Sequence, residues 1–106
     1  GSSGTSGING FLKDWETGNG NIIVRSTDQL VCSGDYVLEN SEMLIESTET
    51  EIGYSTNKYF KKEGKIFIGG NLLVKDSYIE NNGLISVGGE VILMGNSQIE
   101  GTGTII

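Results

Sequence analysis

From residue 64 onward, apolar and polar positions alternate in short bursts. Ile66 and Ile68 flank Phe67, and Ile85 and Val87 flank Ser86. A period of two is the strand period, because successive side chains leave opposite faces of an extended backbone. Ile, Val, Leu and Phe fill most apolar positions, and these residues suit a pleated, half-buried surface. The bursts also recur at fixed steps. Gly64-Lys65-Ile66-Phe67-Ile68-Gly69-Gly70 returns as Gly83-Leu84-Ile85-Ser86-Val87-Gly88-Gly89 and again as Gly103-Thr104-Ile105, at steps of 19 and 20 residues. Between them, Asp76-Ser77-Tyr78-Ile79-Glu80 is answered by Asn96-Ser97-Gln98-Ile99-Glu100, 20 residues later. Self-similarity at such a period predicts an all-β chain, a single-stranded β-helix (β-solenoid) of about four to five coils of ~20 residues. Successive coils would lie about 4.8 Å apart, with equivalent side chains in ladders.

The same phrases extend upstream. Gly20-Asn21-Ile22-Ile23-Val24 and Gly34-Asp35-Tyr36-Val37-Leu38 align with Gly64-Lys65-Ile66-Phe67-Ile68. Met43-Leu44-Ile45 aligns with Leu72-Leu73-Val74 and Val91-Ile92-Leu93, and Glu51-Ile52-Gly53 with Tyr78-Ile79-Glu80. The predicted solenoid therefore covers residues 20–106, with an insertion at 54–63. Insertions in solenoids emerge at corners and carry recognition. Here Tyr54, Lys58, Tyr59, Phe60, Lys61 and Lys62 form the candidate contact patch. Residues 8–19 read as an N-terminal cap or arm: Phe11, Leu12 and Trp15 fit one helical face and would cover an exposed first coil, and Trp15 is a further candidate contact. Residues 1–7, Gly-Ser-Ser-Gly-Thr-Ser-Gly, are a flexible polar linker of vector-derived type, with Thr5 departing from that pattern.

Composition sharpens this picture by exclusion. The 106 residues allow one domain. Seventeen glycines and no proline suit corners joined by strands that need every ladder donor. A net charge of −7 argues against nucleic acid or an anionic membrane as partner. The charge is uneven: residues 35–51 carry only acids, and residues 58–65 carry four lysines against Glu63. The two stretches read either as solvated faces or as patches that pair between coils or between molecules. Cys32 is the single cysteine, expected as a buried thiol. No apolar run is long enough to span a bilayer.

Chemistry is sparse. The chain has no histidine, so the Ser-His-Asp and Cys-His arrangements are missing, and one cysteine makes no zinc site. No phosphate-binding loop, dinucleotide fingerprint or EF-hand pattern occurs. The register stacks Glu80 on Glu100, a spacing open to carboxylate glycosidase chemistry, but a solvated ladder is the ordinary reading. Asp76, Glu80, Asn96 and Glu100 are weak calcium candidates, since hard cations take oxygen ligands. Ser77/Ser97 and Asp76/Asn96 are expected to form polar corner ladders. The expectation is a protein that is not an enzyme and needs no cofactor.

The phrases Gly-Leu-Ile-Ser-Val-Gly-Gly-Glu-Val and Ile-Glu-Asn-Asn-Gly resemble the coils of right-handed β-helices in bacterial surface proteins, namely autotransporter passengers and filamentous-haemagglutinin-like adhesins. The resemblance covers roughly residues 20–106. It implies an exported, extended, non-enzymatic scaffold at the cell surface or outside the cell. The chain stops at Thr104-Ile105-Ile106, inside a strand phrase, which leaves a strand edge open to pairing. The functional expectation is a subunit or segment that stacks end to end, head to tail on itself, into a fibre or adhesin stalk. Ile22, Val24, Thr104, Ile105 and Ile106 would be the self-association edges. The alternative is a monomeric module that binds a glycan or a host or cell-surface protein through Trp15 and the insertion.

Overall fold

The computed structural model describes residues 17–18, 20–52 and 58–106. Their regular structure is all strand, with no helix among the described residues. The strands are β1 (Thr17–Gly18), β2 (Asn21–Val24), β3 (Gln29–Cys32), β4 (Tyr36–Glu39), β5 (Glu42–Ile45), β6 (Ser47–Ile52), β7 (Lys58–Glu63), β8 (Lys65–Ile68), β9 (Leu72–Lys75), β10 (Tyr78–Asn81), β11 (Leu84–Val87), β12 (Val91–Met94), β13 (Gln98–Glu100) and β14 (Thr104–Ile105).

Twelve of these strands make three four-stranded sheets, paired in parallel throughout. Sheet I is ordered β1-β4-β9-β12, sheet II β2-β5-β10-β13 and sheet III β3-β8-β11-β14. In chain order the strands visit sheets I, II and III in rotation, and we call one such visit a round. Pairing partners in adjacent rounds are 19 to 21 residues apart, except in the three pairs that straddle residues 47–63, where Gln29↔Lys65, Tyr36↔Leu72 and Glu42↔Tyr78 are each 36 apart. The excess is the seventeen residues of Ser47–Glu63, which leave 19 when set aside. They hold an antiparallel ribbon in which β6 pairs β7 from Ser47↔Glu63 to Ile52↔Lys58. Its foot is closed by the Gly64 N–H donating to the Glu46 carbonyl at 2.8 Å.

This register corrects several sequence alignments. Lys65–Ile68 lies beside Gln29–Cys32 in sheet III, whereas Asn21–Val24 belongs to sheet II and Tyr36–Glu39 to sheet I. Met43-Leu44-Ile45 pairs with Ile79-Glu80-Asn81, not with Leu72-Leu73-Val74. Glu51 and Ile52 sit in the ribbon, so the excursion begins at Ser47 and not at residue 54. Thr17 and Gly18, expected within the cap, form β1. The confusion has a simple origin: all three sheets use the same apolar-x-apolar tetrad, so pattern alone does not say which side a strand occupies. The Gly64, Gly83, Gly103 series holds, since Lys65↔Leu84↔Thr104 are partners.

Within the strands of the three sheets alternate residues point inward, and those of the middle rounds are buried. Inward columns run through the rounds as Tyr36–Leu72–Val91 and Gly18–Leu38–Val74–Leu93 in sheet I, Ile22–Met43–Ile79–Ile99 in sheet II, and Leu30–Ile66–Ile85–Ile105 in sheet III. Their middle members form one apolar core. The core is narrow, so a 36% apolar composition suffices to fill it. Corners are tight for a reason different from the expected one. A Cβ on Gly83 would run into the Gly64 carbonyl oxygen and approach Ile45 Cγ2 at 2.8 Å. Glycine is there because two backbones touch, not because φ is positive. Positive φ recurs at the corner between sheets I and II, where Asn40 (φ 50°), Asp76 (φ 47°) and Gly95 (φ 63°) each follow a sheet I strand, and it occurs once between sheets II and III, at Gly101 (φ 116°). Asn, Asp and Gly are the residues that tolerate it.

Candidate functional site

The described residues hold no cluster of three or more His, Cys, Asp or Glu side chains that could bind a metal ion. Among the oxygen donors singled out in the sequence, the carboxylates are turned to neighbours. Asp76 Oδ1 accepts from the Asn96 backbone N–H at 3.0 Å. Glu80 and Glu100 are register partners, as the spacing predicted. Glu80 Oε2 accepts from Asn82 Nδ2 at 2.9 Å, and Glu100 Oε1 accepts from the Tyr78 hydroxyl at 3.2 Å. The Tyr78 phenol is held above its ordinary value by its partial removal from water, then by Glu100 and the charges of Glu80 and Glu42.

The candidate contact patch divides. Trp15 and Tyr54 lie outside the described residues. Lys58, Tyr59 and Phe60 are on β7, with side chains outside the described set. Lys61 and Lys62 are exposed on the same strand. They flank a shallow polar groove shared with Ser26, Asp28 and Lys65. The ribbon also accounts for part of the charge pattern: Glu49 is the register partner of Lys61. Acidic and basic stretches therefore meet within one hairpin.

The feature that stands out is the difference between the two ends of the sheets. Strands β1, β2 and β3 are terminal in their sheets at one end, and β12, β13 and β14 at the other. At the first end the inward side chains are buried: Val24 is 0% exposed, Leu30 1% and Cys32 2%. Val24 was expected as a self-association edge; its side chain is instead in the core, so only its backbone lies on an edge. Ile22 is half-buried. The Cys32 thiol is buried as expected, donating toward the Asp35 carbonyl at 3.4 Å. At the other end, inward positions lie in the open. Val91 is 37% exposed, Leu93 49% and Ile105 42%, and Ile99 is partly covered. Thr104 and Ile106 are exposed beside them. Of the inward positions here, the sequence pointed to Ile105 alone. Val91, Leu93 and Ile99 were missed, though each is the last copy of a repeated apolar position and could have been found once the three sides were told apart.

Polar ladders run up to this end. Ser41 Oγ accepts from the Gly20 N–H at 2.9 Å, Ser77 Oγ from the Ser41 N–H at 3.0 Å, and Ser97 Oγ from the Ser77 N–H at 3.2 Å. Each hydroxyl donates to the end of the preceding strand: Ser41 to Glu39 O, Ser77 to Lys75 O and Ser97 to Met94 O, at 2.6 to 2.7 Å. One serine per round therefore satisfies a corner N–H of the round before it and a carbonyl of its own. On the next corner, buried Asn81 accepts from the Gly83 N–H and donates to the Thr104 carbonyl, both at 3.0 Å. These bonds set the register between rounds at the corners, where strand pairing lapses.

No family model matches the chain, and no curated protein and no solved structure matches it either.

Proposed function

We propose that this chain is a β-solenoid, a non-enzymatic structural subunit or segment that stacks end to end into an extracellular fibre or adhesin stalk. The observation that carries the reading is the rotation through three parallel sheets at a spacing of 19 to 21 residues once the ribbon is set aside. A solenoid transmits load along its axis because each round bonds only to its neighbours. The polar faces, with carboxylates engaged by neighbours, favour a scaffold over a reaction centre. The resemblance of the repeated phrases to surface adhesin coils supports an extracellular setting.

Single-molecule pulling from both termini tests this. A stalk segment should resist force and release in steps of one round, on the order of 70 Å for about 20 residues of extended chain. Extension at negligible force, without steps of that size, would sink the reading. A glycan array probed with the chain and with a version lacking residues 47–63 checks the competing module: binding lost with the ribbon would favour it.

A further inference from the structure

The corner between sheets II and III carries a reactive pair in one round alone. Gly64, Gly83 and Gly103 hold equivalent places there, and the residues before them are Glu63, Asn82 and Thr102. Asparagine before glycine is the pair most prone to lose its amide, because glycine has no side chain to hinder attack by its own nitrogen. In that reaction the Gly83 nitrogen bonds to the Asn82 Cγ, the side-chain amide leaves as ammonia with the Gly83 proton, and a cyclic succinimide forms. Water then opens the ring at either carbonyl. One opening gives aspartate; the other gives isoaspartate, in which the main chain runs through the side-chain carbon. The net change is one amide and one water to one acid and one ammonia, with no oxidant or reductant.

We infer that Asn82 is a site of conversion to aspartate and isoaspartate that the folded corner holds shut, with Asn81 as the latch. Both reacting groups are held. The nucleophile, the Gly83 N–H, is buried and donates to Asn81 Oδ1 at 3.0 Å. Asn81 is itself 3% exposed and is fixed by its Nδ2 donating to the Thr104 carbonyl. The electrophile, the Asn82 carboxamide, is turned to other groups. Its Oδ1 accepts from the Thr102 backbone N–H at 3.1 Å and from the Thr102 hydroxyl at 3.3 Å, and its Nδ2 donates to Glu80 Oε2 at 2.9 Å. The Asn82 N–H donates to the Ile45 carbonyl at 2.9 Å, so the main chain is held on both sides of the side chain. Attack requires these bonds to break together, which is a local unfolding of the corner. The isoaspartyl product does not fit back. It lengthens the main chain by one carbon, where even a side-chain carbon on Gly83 would run into the Gly64 carbonyl oxygen and Ile45. Close-packed backbones leave no room to absorb it. Conversion at Asn82 is therefore a lasting record of each opening of this corner.

The test ages the full chain at mildly alkaline pH, in buffer and in concentrated urea. Trypsin then releases residues 76–106 as one peptide, since no Lys or Arg follows Lys75. Conversion at Asn82 is thereby read apart from the pairs Asn9-Gly10 and Asn19-Gly20, by peptide mass, fragmentation and chromatographic separation of the two acids. Asn82 should convert on the order of a hundredfold more slowly in buffer than in urea. Equal rates overturn the latch, and no conversion of Asn82 in urea overturns the site. Asn81→Ala should raise the rate in buffer about tenfold. Because Asn81 is buried, Glu80→Ala is measured beside it; this surface change frees one end of the carboxamide and should raise the rate about threefold. An unchanged rate in Glu80→Ala, or in a folded Asn81→Ala, overturns the holding roles assigned to these side chains. Isoaspartyl chains that refold from urea with the parent's thermal midpoint overturn the misfit of the product.

Discussion

The two ends of the stack are built from the same tetrads and differ in what lies beyond them. At the β1–β2–β3 end, Val24 and Leu30 are as buried as any residue in the middle. At the β12–β13–β14 end, Leu93 and Ile105 occupy equivalent columns and are nearly half exposed. The lesson is that a terminal place in a sheet does not by itself decide burial: the first round keeps its inward side chains out of water, and the last leaves them partly in it.

Substitution along one column should bring out the effect of burial most sharply. Leu38→Ala, in the second round, removes a fully buried side chain and should cost about 3 kcal/mol. Leu93→Ala, in the same column at the open end, should cost about 1 kcal/mol or less, since much of that surface is already in water. Urea unfolding of the two variants measures both. Equal losses would mean that the open end is covered in solution.

The glycine series offers a second, smaller contrast. Gly83→Ala places a methyl group between two backbones in the interior of the stack and should cost about 2 kcal/mol. Gly103→Ala meets the Gly83 carbonyl oxygen in the same manner, but its strand β14 is paired on one side only and is free to shift. About half the loss is expected there, read from thermal midpoints.

Tyr36 supplies the smallest expected effect and the one with a pH signature. Its ring fills the start of the Tyr36–Leu72–Val91 column, and its hydroxyl is buried without a hydrogen-bond partner. Burial, and secondarily the nearby Cys32, push the phenol well above its ordinary value of 10.0. The neutral form is thus favoured in the folded chain. Stability from this group is intact below pH 10 and falls as the pH rises beyond it, by up to about 1.4 kcal/mol per pH unit. Tyr36→Phe removes an unsatisfied hydroxyl and should stabilise the chain by about 1 kcal/mol at neutral pH. It should also flatten the loss of stability between pH 10 and 11. A variant less stable than the parent at pH 7 would show that the hydroxyl has a partner in solution.

How much of this was legible beforehand follows from what each side chain does. The strand period, the Gly64–Gly83–Gly103 series and the Ser77/Ser97 ladder were readable because they repeat both in sequence and in space. The assignment of strands to sides was not. Ile22-Ile23-Val24, Leu30-Val31-Cys32 and Tyr36-Val37-Leu38 are interchangeable as patterns, and only the corner residues tell them apart. Ser41 was the overlooked key. Ser41-Glu42-Met43 is the same phrase as Ser77-Tyr78-Ile79 and Ser97-Gln98-Ile99, and it places β5 in sheet II at once. The ribbon was half seen, because Ser47–Ile52 alternates like any strand of the stack. Its complementary charges, acids on β6 and lysines on β7, were the available signal that it pairs with its neighbour in sequence.

That ribbon has a bearing on how such a chain can change. The polypeptide leaves the stack at Glu46 and re-enters at Gly64, and these two residues share a hydrogen bond. The spacing of the surrounding rounds is the same with the excursion set aside as it is elsewhere. A detour that departs and returns at one point places no demand on its own length beyond the slowly growing entropy of closing a longer loop. The corner between β5 and β8 is therefore a graft point, where polypeptide can be exchanged, lengthened or removed without renumbering a single rung above or below it.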